Sequence, residues 1–135
     1  MSNSAPDDGI LLSFPKGLLG FPQLTSFRLF EPSDGYPLKF LQAVDQPEIS
    51  FVCMDPAGLK PDYTVPLSDS EAEELALEEP TDALILTLVV IPEDPRRMTT
   101  NLAGPLVVNT RTHAGLQVAL ASDRFPLKFP VFSQA

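Results

Sequence analysis

The sequence predicts a mostly β, single-domain protein, a barrel-like antiparallel or mixed sheet carrying one short acidic helix. Three observations predict it. Fifteen prolines spread from Pro6 to Pro130 leave intervals too short for long helices, because proline lacks the amide donor that a helix interior or a central strand needs. Between the prolines lie short runs rich in Val, Ile, Leu and Phe, several of them alternating in period two. The length of 135 residues suits one domain with a core that needs neither disulfide nor metal.

Residues 1–9, with their Ser, Asn, Pro and Asp content, read as a flexible N-terminus, and the domain is assigned to residues 10–135. Candidate strands follow at 10–14, 26–30, 39–44, 49–54, 83–91, 106–110 and 116–121. The third and fourth form a hairpin across Asp45-Gln46-Pro47-Glu48. In it Ile49, Phe51 and Cys53 share one face, and Phe40, Gln42 and Val44 oppose Leu41, Ala43 and Asp45. The run 83–91 is apolar at nearly every position, as in a strand buried on both faces. A buried helix is the alternative, which Val89, Val90, Ile91 and Pro92 disfavour.

One helix is marked by Ser68, whose hydroxyl caps the first turn, and by Glu71, three residues on, which completes a capping box. Its expected end is near Glu78, before Pro80, with a narrow apolar face of Ala72, Leu75 and Ala76. Glu71 with Glu74, and Glu74 with Glu78, are then like-charge neighbours costing about 0.2–0.5 kcal/mol each. The tail after Arg124 carries Phe125, Phe129 and Phe132, too apolar for a plain frayed end. It is expected to pack back on the domain or to meet a partner.

Charge narrows the function. With 18 acidic against 9 basic residues, the net charge of −9 argues against direct nucleic-acid binding, which draws affinity from Lys and Arg on phosphates. A basic protein partner fits better. Between Pro61 and Pro95 stand ten acidic residues and no Lys or Arg, either a solvated face or a surface that steers a basic partner. The lone Cys53 and the absence of a signal-type opening predict a cytoplasmic protein. The run 83–91 is too short to cross a bilayer as a helix, which takes about 20 apolar residues.

Catalytic and metal readings find little support. His113 is the single histidine and sits in a turn without a nearby acid or nucleophile of any known motif. One Cys and one His cannot complete a zinc site, and the acidic run lacks the ligand spacing of a calcium loop. Gly17-Leu18-Leu19-Gly20 lacks the lysine and hydroxyl of a phosphate loop. Cys53 reads as a small core residue. No enzyme activity and no cofactor is therefore expected. The rival from another class is a small β-barrel enzyme or ligand-binding module using buried carboxylates, which demands a pocket holding an Asp or Glu of raised pKa.

The most distinctive stretch is Met98-Thr99-Thr100-Asn101-Leu102-Ala103-Gly104-Pro105-Leu106-Val107-Val108-Asn109, a polar turn passing through Gly-Pro into a β-branched strand. Two readings of its first half stay open: turn chemistry, or a contact spot in which Met98 and Leu102 lie exposed beside Thr99 and Asn101. The stretch resembles the threonine, asparagine, leucine, proline and asparagine pattern of the FliW family of flagellar assembly factors. Further pieces in family order are Phe14 to Phe21 with Phe27-Arg28-Leu29, Pro37 to Asp45 with Phe51-Val52, and Asp55-Pro56 with Pro61-Asp62-Tyr63.

The resemblance implies a β-rich binding regulator that holds flagellin and alternatively the translational repressor CsrA, relieving repression of flagellin translation. The family's action on CsrA is described as acting beside its RNA surface. The chain departs from the family pattern in an N-terminus that reads as shorter, with residues 4–12 in place of a first strand and turn. It also has Ala57-Gly58-Leu59-Lys60 where aromatics are common, Arg96-Arg97 in an often acidic stretch, and Phe129-Pro130 for a His-Pro ending. From charge and expected exposure, the candidate partner-binding residues are Glu71, Glu74, Glu78, Met98, Thr99, Asn101 and Leu102.

Overall fold

In the computed structural model, which describes residues 9–32, 37–121 and 123–132, nine strands and one α-helix form a single branched sheet with α1 on its side. The strands are β1 (Ile10–Ser13), β2 (Ser26–Phe30), β3 (Leu38–Ala43), β4 (Ser50–Met54), β5 (Ala83–Val90), β6 (Thr99–Thr100), β7 (Leu106–Asn109), β8 (Gly115–Gln117) and β9 (Phe129–Pro130), and the helix is α1 (Asp69–Glu74). Every ladder is antiparallel, in the order β1-β2-β3-β4-β5-β6-β9, with β7 paired to β5 and β8 to β7. The expected flexible N-terminus lies outside the described residues, apart from Gly9.

The branch is at β5. Its first half, Ala83 to Leu86, pairs with β7, whereas Thr87 to Val89 pair with β4 and Val89 and Val90 with β6. Alternate side chains of the first half then serve two cores, which explains its successive apolar residues, whereas Val90 and Ile91 are exposed and the run is not buried on both faces to its end. Leu84, Leu86 and Leu88 join the larger cluster around Phe14, Phe27, Leu41 and Leu106, while Ala83 and Ile85 pack on Leu75, Val107, Leu116 and Val118 beneath α1. Phe14 and Phe27 meet edge to face, with ring centroids 5.6 Å apart.

The β3–β4 hairpin has the expected turn and faces. Leu41, Ala43 and Cys53 are buried, and Phe40 and Val44 look outward. The sheet is not a closed barrel, since the approach of β1 to the β7–β8 hairpin is one parallel bridge, Ser13 to Ala114, with the Ser13 amide donating to the His113 carbonyl at 2.9 Å. Phe14 lies so close to Gly115 that a Cβ there would sit 2.5 Å from its ring.

Two expectations are corrected. The helix stops at Glu74, not near Glu78, because Leu75 turns into the core and Ala76 takes a left-handed φ of 54° that reverses the chain. Glu78 is thus beyond the helix, no helical Glu74–Glu78 neighbour pair exists, and Ala76 is exposed. The last predicted strand, 116–121, is shortened to Gly115–Gln117. In turn β6 and β9 arise where no strand was expected.

Candidate functional site

Residues 98–109 lie inside the sheet, with Thr99 and Thr100 as β6 between β5 and β9. Met98 is 7% exposed and Leu102 fully buried, which corrects the expectation of an exposed contact spot. The tail flanks this stretch. It returns alongside β6, the Leu102 amide donating to the Pro126 carbonyl and the Val131 amide to the Met98 carbonyl, each at 2.9 Å. The Tyr63 hydroxyl donates to the Leu102 carbonyl at 2.7 Å while Phe125 stands edge-on to the Tyr63 ring, and burial pushes the phenol pKa up to about 12.

The polar members of this stretch are also structural. Thr100 Oγ1 is buried 2.7 Å from Thr87 Oγ1 and 3.0 Å from the Leu88 carbonyl. Asn101 Oδ1 accepts the Ala103 and Gly104 amides at 2.8 and 3.1 Å, an Asx turn that leads the chain into β7. Gln117 donates to the Gly104 carbonyl at 2.9 Å and accepts the Leu19 amide at 2.7 Å. Asn109 is buried with both ends of its amide satisfied: Nδ2 donates to the Leu75 carbonyl at 2.8 Å, and Oδ1 accepts from the amides of Arg111 and Thr112. Thr99 and Asn101 keep partial exposure.

The candidate acids stand on another part of the surface, and they do not act alike. Glu71 is spent in the capping box, its carboxylate accepting the Ser68 amide at 2.9 Å while Ser68 Oγ accepts the Glu71 amide at 3.1 Å. Glu74 is paired with Lys16 at 3.0 Å, and Glu78 is 4.0 Å from Arg111. Arg111 also reaches Asp82 at 3.3 Å, and Asp82 Oδ2 accepts the amides of Glu78 and Glu79. The Arg111 hydrogen bond, with those amides, holds the Asp82 carboxyl below its usual range.

The acidic run therefore recruits cations from elsewhere in the chain. Among the described residues no ion pair reaches Asp69 or Glu73, which line an open groove of about 450 Å³ with Ala72, Ala76, Leu77 and Glu78. Both acids belong to the acidic run of the sequence but are not among its candidate partner-binding residues. Once Glu71 is assigned to the capping box and Glu74 to Lys16, Asp69 and Glu73 are the carboxylates that α1 has left.

Among the described residues no group of three or more His, Cys, Asp and Glu is placed to hold a metal ion. Cys53 is buried in the larger core, and burial pushes its thiol up to about 12. His113 is exposed in a turn at φ 66°. No described helix is long and apolar enough to cross a membrane.

The family model described as FliW protein matches residues 3–131. A flagellar assembly factor FliW of Caldanaerobacter subterraneus subsp. tengcongensis is 35% identical over 125 residues, covering 92% of this chain and 83% of the relative. Those of Treponema pallidum and Carboxydothermus hydrogenoformans are 35% and 38% identical, covering 92% and 93% of this chain and 82% and 80% of the relatives. A crystal structure of the flagellar assembly factor FliW superposes with a TM-score of 0.85 at 25% identity, over 99% of this chain and 92% of that one. Sequence along nearly its whole length and the branched antiparallel sheet agree: the chain belongs to the FliW family.

Proposed function

We propose that this chain is a non-enzymatic, cytoplasmic flagellar assembly factor that works by protein binding, holding flagellin or, alternatively, the translational repressor CsrA, whose capture relieves repression of flagellin translation. The observation that carries this reading is the likeness, over residues 3–131, to a family whose members are named flagellar assembly factors. The net charge of −9 supports a basic partner. Negative charge brought beside a basic RNA surface disfavours phosphate binding over roughly a Debye length, about 8 Å at physiological salt.

Within this reading, Glu71, Glu74 and Glu78 supply part of the acidic field and Thr99 and Asn101 part of the polar rim. Met98 and Leu102 act from beneath, by fixing the backbone of β6. The carboxylate-enzyme alternative has no observation in its favour, because the buried Asp82 is shifted down by Arg111, opposite to what an acid/base pair requires.

Size-exclusion chromatography of the chain with its cognate CsrA, with and without flagellin, tests the proposal. The expected result is co-elution with each partner, flagellin displacing CsrA. If neither partner co-elutes at micromolar concentration, the regulator reading fails.

A further inference from the structure

Residues 125–132 lie on the rim of the sheet and contribute no side chain to either buried cluster. Their ladder to β6 is two residues long, and two of their positions, Pro126 and Pro130, carry no amide proton. Leu127 and Phe132 are 56% and 49% exposed. The stretch they pair with is different in kind: Met98, Thr100, Leu102 and Ala103 are all buried. A two-residue ladder at the rim, outside both buried clusters, is the kind of element that opens locally before the rest of a domain.

The register shows how the rim is built. Because the Val131 amide bonds the Met98 carbonyl, Thr99 and Pro130 form a non-hydrogen-bonded pair and the Pro130 nitrogen faces away from β6. Proline there costs β6 nothing, and a further strand laid outside β9 would meet a position without a donor. Access to the edge of β6 therefore runs through replacement of β9, not addition to it.

We propose that β6 is a strand-addition site which residues 125–132 occupy in cis, and that an extended partner segment with apolar side chains at alternate positions takes their place. The occupant already present defines that chemistry. Phe129 and Val131, two apart, are half-buried, as is Phe125 before a bend, while Pro126, Leu127, Lys128 and Pro130 are exposed. The replacing segment needs apolar side chains at the two alternate positions of Phe129 and Val131, an amide where Val131 donates and a carbonyl where Pro126 accepts. The inference is independent of which proteins the chain regulates.

The test uses the full chain and a synthetic peptide of residues 124–132 as probe. In wild type the Leu102 and Val131 amides are expected to exchange with deuterium at least roughly tenfold faster than that of Val107 in β7. The double variant Thr99→Cys, Pro130→Cys places a disulfide at the non-hydrogen-bonded pair, whose close Cα spacing suits one. Peptide binding, read from shifts of the Met98 and Leu102 amides, is expected in the reduced form and lost on oxidation. Phe125→Ala, which removes the Tyr63 contact without touching β6, is expected to bind the peptide roughly three- to tenfold more tightly than wild type. Exchange at Val131 as slow as at Val107, equal binding by the oxidised and reduced forms, or no binding by Phe125→Ala at millimolar peptide would each overturn the proposal.

Discussion

Asn109 donates its side-chain amide to the main-chain carbonyl of Leu75 at 2.8 Å, tying the end of α1 to the start of the β7–β8 turn. The same side chain accepts the Arg111 and Thr112 amides, so one residue closes the loop after the helix and the tip of a hairpin. Asn109→Ala leaves the buried Leu75 carbonyl and the part-buried Arg111 and Thr112 amides without this partner, at a cost of about 1–3 kcal/mol for each group that water does not reach. Urea unfolding is expected to show a lowered midpoint with an unchanged slope. A loss under about 1 kcal/mol would mean that water replaces the amide.

Leu102 separates a core role from a contact role. Leu102→Ala is expected to destabilise the domain by about 2–5 kcal/mol, as a fully buried leucine does, while partner affinity per folded molecule stays the same. A variant of wild-type stability that no longer binds would place Leu102 in an interface instead.

Gly115 tests the packing between β1 and β8. Gly115→Ala drives a Cβ to 2.5 Å from the Phe14 ring and is expected to cost about 1–3 kcal/mol. Combined with Phe14→Leu, the two losses are expected to be less than additive, because the smaller side chain gives up the contested space. Additive losses in thermal unfolding would show that the ring moves aside on its own.

Acid stability follows from Asp82, whose carboxyl is held low by Arg111 first and then by the Glu79 and Glu78 amides. A lowered folded-state pKa contributes stability above the unfolded value, near 4, and that contribution disappears as pH falls through the folded value. Asp82→Asn is therefore expected to reduce stability at neutral pH and to flatten the decline below about pH 4. An acid limb identical to wild type would remove Asp82 from the set of groups responsible.

Electrostatic steering is checked at α1. Asp69→Lys with Glu73→Lys leaves the capping box and the Lys16–Glu74 pair intact and is expected to slow association with a basic partner at low salt, with less effect at high salt. An unchanged association rate at low ionic strength counts against a steering role for the helix.

Where local chemistry decides, the sequence was readable. The capping box of Ser68 and Glu71, the turn between β3 and β4, and the apolar first half of β5 all follow from residues close together in the chain. The burial of Leu102 is not legible locally, because its backbone is held by Pro126 and Tyr63, both distant in the chain, beside a two-residue ladder too short to carry a periodic signal. The helix end was misplaced for a similar reason. Nothing near Leu75 announces that Asn109 will take its carbonyl, or that Ala76 will adopt a left-handed turn. The acids were legible as a run, but their pairing with Lys16 and Arg111 is a property of the folded chain.

Because β5 belongs to both cores at once, neither half of the molecule owns a boundary along which it could come apart. Loss of order at Leu86 removes a wall from the Phe14 cluster and, through the same backbone, the ladder that holds β7 over the other cluster. A domain joined this way melts as a unit up to its rim, and the loosely attached β9 is the piece free to fluctuate while the remainder stays whole.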